Sequence, residues 1–395
     1  ILFMLLVLFI GISAGASIMV SQYFGAKNRE KLSATIGNCI TITAISSIIF
    51  MLAIPPFIRK ILEILNTPAS IIDGCADYLI ISLIGIAGMA YYNILSGIIR
   101  GLGDSVAALL YLLVATVINI ALDIWFVASF NLGVAGVALA TVISQFISAA
   151  LCLIKLMRMK DYFDLTFNSL KLNKETLKTL VSLGLPSGFT YAIMSSAMII
   201  VQSLTNQFGE QFIAANAVVM RVDGFAMMPN ISFGTAMSTF AGQNIGAKKY
   251  DRLHSGAKQG LLISVICSTL ITTVILIFGK YLMMAFTDTA ELVELSVHLM
   301  RILAVGYVAM AVIQSLSGVI RGAGDTVTPM WISLITTILL RIPLAYGISY
   351  FTKTPELPLG YKECIQISLL ITWIVGAALT VYFYVKGNWK NKALS

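Results

Sequence analysis

The stretch QYFGAK at residues 22–27 returns later in the chain as QNIGAK at residues 243–248. A second stretch, SGIIRGLGD at residues 96–104, returns as SGVIRGAGD at residues 317–325. The offset is the same for both pairs, since 243 − 22 and 317 − 96 both equal 221. Two distant matches at one constant offset indicate a duplicated unit. In a hydrophobic chain, a duplicated multi-helix unit is typical of an alternating-access transporter with its binding site between the halves.

The composition predicts an all-α integral membrane protein. Of the 395 residues, 58% are hydrophobic and 11% are charged, whereas about 25% of a soluble domain is charged. Apolar segments of about 20 residues, the length that spans a bilayer, alternate with short polar stretches. Eleven such segments lie at about 1–22, 32–54, 76–99, 105–130, 133–155, 180–205, 214–241, 257–284, 295–320, 326–351 and 364–385.

The basic residues indicate how the segments are oriented. Most of the 26 lysines and arginines fall in alternate gaps between the apolar segments, so the positive-inside rule predicts that these gaps are cytoplasmic. The net charge of +8 is therefore attributed to basic residues that set the orientation in the membrane, and nucleic acid is not an expected partner. The five cysteines are scattered without paired spacing, which predicts neither a disulfide framework nor a zinc site.

The repeat also predicts the domain organisation. Six crossings separate the two copies of the first motif, so the halves run parallel and their symmetry axis follows the membrane normal. The polar stretch 157–179 is expected to be a cytoplasmic linker between an N-lobe at 1–156 and a C-lobe at 180–395. At offset 221 the helix near 180–205 has no counterpart in the first half. We therefore expect two parallel six-helix repeats, twelve helices in a parent protein and about eleven here.

One carboxylate stands out among the apolar segments. Asp123 lies in mid-segment, where a charge costs about 3 kcal/mol to insert, and Asn119 lies one helical turn before it. A turn centred at Leu132 would place Thr141 level with Asp123, and Gln145 level with Asn119, about halfway through the bilayer. These four polar residues are the candidate cation or proton site. The alternative is that they only hydrogen-bond two helices together.

These motifs, taken together, resemble the MATE family of multidrug and toxin extruders over essentially the whole chain. The resemblance rests on NIALD at 119–123, LGVAGVALAT at 132–141, GLPS at 184–187, GQNIGA at 242–247 and the two RGxGD loops. It implies two six-helix bundles around a V-shaped central cavity. It also implies secondary active export of amphipathic, often cationic compounds by antiport against Na⁺ or H⁺.

The resemblance assigns the ion site to the first lobe. In the family, residues matching Asn119, Asp123 and Thr141 bind the cation or proton, so Asp123 and Asn119 would ligate Na⁺ if Na⁺ is the coupling ion. That family site also uses an aspartate on a first helix, which this chain lacks. The second lobe has Leu340 and Leu344 at offset 221, and Met194 where one branch of the family has a glutamate. The chain therefore resembles the branch that couples through the first lobe.

A second set of residues is a candidate lining for a substrate cavity, because aromatic, amide and thioether groups suit varied amphipathic cations. In addition, Asp223 is expected to pair with Arg341 across two helices. The set comprises Tyr91, Tyr92, Asn93, Gln202, Asn206, Asp223, Met227 and Arg341.

Other function classes have less support. An enzyme is not expected, because the chain has two histidines and no catalytic motif. A channel is disfavoured, because no filter-like loop occurs. A lipid-linked oligosaccharide flippase of the same superfamily remains the alternative. The expected setting is a monomer in a prokaryotic inner membrane, with small molecules and the bilayer as partners and no cofactor beyond the coupling ion.

Overall fold

A computed structural model describes residues 2–65 and 67–394, and within these ranges the chain is helical with no strand. Nine of the described helices are long and apolar enough to cross a membrane, or eleven if each of two bent helix pairs forms one span. The prediction of an all-α membrane protein with about eleven segments is confirmed. The first predicted segment begins at Ile1, which lies outside the described residues.

Two compact units, Ile1–Gly188 and Phe189–Ser395, make up the chain. The first contains α1 (Leu2–Gly25), α2 (Arg29–Ala53), α3 (Ile58–Ile64), α4 (Ile72–Ile84), α5 (Ile86–Gly101), α6 (Ser105–Ile124), α7 (Gly133–Arg158) and α8 (Phe167–Leu170). Helix α9 (Lys174–Gln207) continues from the first unit into the second. The second contains α10 (Glu210–Gly246), α11 (Tyr250–Met284), α12 (Ala290–Ala304), α13 (Gly306–Gly322), α14 (Val327–Ser333), α15 (Arg341–Phe351) and α16 (Cys364–Lys386).

The backbone repeats at the same offset as the sequence. Lys27 and Lys248, 221 positions apart, have left-handed φ angles of 54° and 56°. Gly103 and Gly324 share that offset and have φ angles of 101° and 97°. Helices α4 and α5 meet at a 49° bend, and α12 and α13 meet at a 44° bend. The duplication inferred from the sequence is therefore present in the structure.

Small residues bring the central helices of the second unit into close contact. A Cβ atom added to Gly318 of α13 would lie 2.3 Å from the Gly234 carbonyl oxygen of α10. One turn later, a Cβ atom on Gly322 would lie 2.2 Å from the Ser238 carbonyl oxygen. Two glycines four residues apart are a common way to pack membrane helices backbone to backbone. The contact buries a core that includes Ile320 and Ala323.

The first unit uses the same contact. Gly97 and Gly101 of α5, the counterparts of those glycines, face Ser13 and Ser17 of α1. A Cβ atom on Gly101 would lie 2.8 Å from the Ser17 carbonyl oxygen. Helices α1 and α5 thus pack like α10 and α13.

Each Arg-Gly-x-Gly-Asp turn is fixed by its aspartate. Asp104 accepts a hydrogen bond from the third residue of α6 and forms a 2.8 Å ion pair with Lys155 of α7. Asp325 accepts the equivalent bond and forms a 3.0 Å ion pair with Lys392. The hydrogen bond from Lys155 and the backbone N–H hold the pKa of Asp104 below its usual range. These motifs therefore act as helix caps, and each aspartate is also tied to a lysine of its own unit.

The predicted linker is fastened to α2 along most of its length. Arg29 donates two hydrogen bonds to the Asp164 carboxylate, at 2.6 and 2.8 Å, and further bonds to the carbonyls of Lys160 and Asp161. The Asp164 N–H donates to the hydroxyl of Ser33. The first part of the linker is thus held by a two-point guanidinium–carboxylate contact.

The second part of the linker is held by Asn38 and Thr41 of α2. The Asn38 amide donates to the Lys171 carbonyl and accepts from the Asn173 N–H, and the Thr41 hydroxyl donates to the Leu170 carbonyl. A Cβ atom on Gly37, the neighbour of Asn38, would lie 2.0 Å from the Ser169 carbonyl oxygen. We call residues 160–173 with their α2 partners the linker strap.

Loosening of the linker strap is expected in the variant Arg29→Ala. Amide hydrogen exchange over residues 160–173 should be faster than in the wild type, because four donated hydrogen bonds are lost. Arg158→Ala removes an exposed arginine at the end of α7 and is the control. Equal exchange in the two variants would contradict the role assigned to Arg29.

The linker strap also has a predicted pH dependence. The hydrogen bond from Arg29 lowers the pKa of Asp164 in the folded protein. The contact therefore contributes its full stability above the ordinary carboxylate pKa of about 3.9, and loses it as pH falls through the lowered folded value. Protection of residues 160–173 should stay constant from pH 7 to pH 5 and fall only in stronger acid. A loss of protection between pH 7 and pH 5 would contradict this.

The compact units divide between Gly188 and Phe189, inside α9, and so beyond the predicted linker at 157–179. Close packing of α1 on the first half of α9 explains this position. Cβ atoms on Gly11 and Gly15 of α1 would lie 2.7 and 2.8 Å from backbone atoms of Gly184. The lobe boundaries at 156 and 180 stay predictions.

Candidate polar site in the first unit

The hairpin formed by α6 and α7 carries the four predicted site residues. Helix α6 ends in a π-helical segment, Trp125–Ser129, two residues after Asp123. The chain then reverses through Asn131, whose φ angle of 51° is left-handed, and α7 begins at Gly133. The turn therefore lies next to Leu132, as predicted. π-helical segments occur often at functional sites, because they displace side chains from regular helical positions.

Close packing brings the two helices of this hairpin together. A Cβ atom on Gly136 of α7 would lie 3.0 Å from the Cβ atom of Phe126. Ala140, one turn further along, is completely buried. Small residues at these two positions therefore allow the helices to approach closely. Asn119, Asp123, Thr141 and Gln145 are each partly buried on the two helices.

Three of these four residues have an enclosed polar atom without a hydrogen-bond partner. The atoms are Asn119 Nδ2, Asp123 Oδ1 and Gln145 Oε1. The fourth residue, Thr141, donates its hydroxyl hydrogen bond to the Val137 carbonyl of its own helix. Within the described residues, no hydrogen bond from these side chains joins α6 to α7. The alternative role as interhelical hydrogen bonds therefore finds no support in the observed contacts.

These polar groups suit a small hard cation or a proton. The carboxylate of Asp123 and the amide carbonyl of Gln145 supply oxygen donors, and the Asn119 amide presents its oxygen after a 180° rotation about its terminal bond. Na⁺ is a hard cation and favours such oxygens, and a carboxylate also binds a proton. Across the described part of the chain there is no group of three or more His, Cys, Asp or Glu side chains that could hold a metal ion. The single carboxylate fits a monovalent ion.

The second unit repeats only one member of this site. Gln366 of α16 is the counterpart of Gln145 at offset 221, and its Oε1 atom is also enclosed without a partner. Its amide nitrogen donates to Asn216 at 2.9 Å. The counterparts of Asn119 and Asp123 are Leu340 and Leu344. The sequence analysis missed Gln366, although the constant offset could have revealed it.

The predicted direct pair between Asp223 and Arg341 does not form. No nitrogen of Arg341 lies within 4.0 Å of the Asp223 carboxylate, although Arg341 interacts electrostatically with it. The carboxylate instead accepts a 2.9 Å hydrogen bond from the hydroxyl of Tyr307, which is fully buried at the start of α13. The expectation of an ion pair was wrong because it considered only charges, and a tyrosine hydroxyl satisfies a buried carboxylate at lower desolvation cost.

Comparison with known proteins decides the family. The model of the family described as MatE matches residues 1–125 and 186–347. The chain belongs to the MATE family. It is 32% identical to a probable multidrug resistance protein, YoeA of Bacillus subtilis, over all of this chain and 85% of that protein. It is 23% identical to a probable multidrug resistance protein, NorM of Thermotoga maritima, over 98% of this chain and 83% of that protein.

Solved MATE structures share the fold. An outward-facing multidrug resistance MATE transporter superimposes with a TM-score of 0.90 at 22% identity, covering 99% of this chain and 87% of that one. A MATE structure in the bent conformation gives a TM-score of 0.88 at 21% identity, covering 96% and 83%. The family match and the relatives identify this chain as a multi-pass membrane transporter of the MATE multidrug efflux family and not an enzyme, as the sequence analysis expected.

The residues predicted to line a substrate cavity fall into both units of this MATE protein. In the first unit, the Tyr91 hydroxyl donates to the Ile40 carbonyl of α2, and the Asn93 amide donates within its own helix. In the second, Gln202 and Asn206 are exposed and joined by a 2.8 Å hydrogen bond. Tyr92 is partly buried, and Met227 packs against the core of the second unit. Their role in substrate binding stays a prediction.

Proposed function

We propose that this MATE protein is a secondary active exporter that exchanges amphipathic, cationic compounds for Na⁺ or H⁺ by alternating access. The observation that carries the proposal is the set of enclosed, unpartnered polar atoms on Asn119, Asp123 and Gln145. Leaving a buried polar group unsatisfied costs about 1–3 kcal/mol, and more for a charged one. A bound ion or proton offsets that cost.

In this mechanism the coupling ion and the substrate are bound at different times. When Asp123 is ionised and no cation is bound to it, enclosing Oδ1 costs free energy. The conformation with Oδ1 enclosed is then disfavoured relative to one in which water reaches the carboxylate. Binding of Na⁺ or H⁺ removes this free-energy cost and shifts the population toward the conformation in which Oδ1 is enclosed. Entry of the ion is thus linked to release of the substrate on the outer side, with the basic loops facing the cytoplasm of a prokaryotic cell.

Ethidium efflux from cells expressing the protein tests this function. Na⁺ and pH gradients are imposed separately on de-energised cells, and cells carrying the empty vector are the control. Efflux that requires one of the two gradients is the expected result. Absence of gradient-driven efflux in well-expressing cells would contradict the exporter and favour the flippase alternative, which lipid-linked oligosaccharide translocation in vesicles would then measure.

A further inference from the structure

A second polar cluster lies inside the second unit, on helices α10, α13 and α15. Tyr307 donates its hydroxyl hydrogen to Asp223 Oδ1 at 2.9 Å, and its oxygen also lies 3.4 Å from the sulfur of Met300. The Tyr307 ring packs on Trp373, with 5.7 Å between the ring centroids. The third polar member, Arg341, is the first residue of α15. The cluster thus combines both charges with a buried tyrosine and methionine and a partly exposed tryptophan.

The guanidinium of Arg341 has no hydrogen-bond acceptor in the described protein. Its Nε atom is enclosed and unpartnered, and Asp223 lies beyond ion-pair distance. The side chain remains partly exposed, so its outer nitrogens are reachable. A guanidinium carries five N–H donors, and an enclosed donor without an acceptor, such as Nε here, is costly. Arg341 is thus a strong oxyanion-binding group that has no protein acceptor among the described residues, and it lies near a carboxylate.

Two features keep the arginine and the carboxylate apart. Tyr307 holds Asp223 from one side by its hydrogen bond. Arg341 directly follows a π-helical segment, Leu334–Leu340, which changes the direction of the side chains around it. The counterpart of Arg341 in the first unit is Ile120, so the duplication does not account for the arginine.

We propose that Arg341 binds a carboxylate group carried by aromatic amphiphiles that the transporter exports, and so determines specificity for that substrate class. The proposal rests on the exporter function proposed above. The planar guanidinium matches a carboxylate with two parallel hydrogen bonds. The partly exposed ring of Trp373, which packs on the buried ring of Tyr307, supplies apolar contact for the aromatic part of such a molecule. Tyr307 is a positioning residue, because it prevents Asp223 from neutralising Arg341.

Rhodamine B and its ethyl ester form a matched probe pair, because they differ in one carboxylate that the ester masks. Binding of each dye to the purified full-length protein is measured by fluorescence anisotropy. Arg341→Gln is expected to weaken rhodamine B binding about tenfold, the effect of one charge-assisted contact, and to leave ester binding within about twofold. Arg301→Gln, which changes an exposed arginine of α12, should leave both affinities unchanged.

Substitutions of the two neighbouring residues should change the affinity for rhodamine B in opposite directions. Asp223→Asn removes the competing negative charge, so rhodamine B should bind more tightly than to the wild type. Tyr307→Phe releases the carboxylate to pair with Arg341, so rhodamine B should bind more weakly. Adding Asp223→Asn to Tyr307→Phe should restore rhodamine B binding, a rescue that a purely structural role of Tyr307 would not produce.

The ester also reports whether each variant is folded. If Arg341→Gln does not bind the ester, Arg341→Lys is used in its place. Lysine keeps the positive charge but lacks the planar guanidinium that forms two parallel hydrogen bonds, so this variant should bind rhodamine B more weakly than the wild type. Equal loss of both dyes in Arg341→Lys, or no change for rhodamine B in a folded Arg341 variant, would overturn the proposal. So would a wild-type protein that does not bind rhodamine B. Because binding needs no gradient, these results are separate from ethidium efflux, which tests the exporter function.

Discussion

Asp123→Asn is expected to abolish gradient-driven ethidium efflux while the protein remains folded. Asparagine has nearly the same shape as aspartate but cannot take up a proton, and its neutral amide binds Na⁺ much more weakly. The efflux rate above background should fall at least about tenfold, which corresponds to about 1.4 kcal/mol. The substitution breaks no hydrogen bond found among the described residues, and Oδ1 of Asp123 is enclosed without a partner. Removing an unpaired buried charge is expected to leave the melting temperature at or above that of the wild type.

The control for this prediction is Asp77→Asn. Asp77 lies in α4 of the same unit and is exposed, so its replacement should change neither efflux nor stability. Efflux at the wild-type rate in folded Asp123→Asn would remove this residue from the coupling mechanism. Loss of efflux together with loss of folded protein would instead show that Asp123 is structural.

Gly322→Ala is expected to destabilise the protein by about 3 kcal/mol, the upper part of the range for overpacking. The added methyl group would lie 2.2 Å from the Ser238 carbonyl oxygen, a backbone atom that cannot move without shifting α10. Gly101→Ala, the counterpart in the first unit, places its methyl group 2.8 Å from Ser17 and should cost less. Thermal unfolding followed by fluorescence-detected size-exclusion chromatography measures both.

Gly279→Ala is the matched control in the second unit. Nothing lies within 4 Å of a Cβ atom at Gly279, which is in mid-helix in α11. Alanine has the higher helix propensity, so this variant should be as stable as the wild type or up to about 1 kcal/mol more stable. Equal melting temperatures for the variants at positions 279 and 322 would contradict the backbone contact between α10 and α13.

The sequence was sufficient to predict the helices, because apolar length alone defines a membrane span. The segment predicted at 105–130 corresponds to a span at Ser105–Ser129, and that predicted at 326–351 to a span at Val327–Phe351. The bends after Ile84 and Ala304 were not predicted, since no proline marks them. The linker strap was also missed, because its bonds join residues about 130 positions apart, as with Arg29 and Asp164, and have no local pattern.

The candidate site was predictable where helical geometry determines which residues meet. One helical turn relates Asn119 to Asp123, and a hairpin relates both to α7, so their common location followed from spacing. Tyr307 could not be found this way, because a tyrosine in an apolar helix has no charge to signal its role. Its partner Asp223 lies 84 positions away. Only the packing of α10 on α13 brings the two side chains together.

The linker strap has a consequence for how the protein folds during translation. All of its partners lie in α2 or in residues 160–173, so every atom it needs has been synthesised before the ribosome reaches the second unit. Domains fold in order from the N-terminus during translation. The strap can therefore close while the second half of the protein is still being translated. The nascent second unit then begins its insertion from a fixed point on the first unit and not from a loose tether.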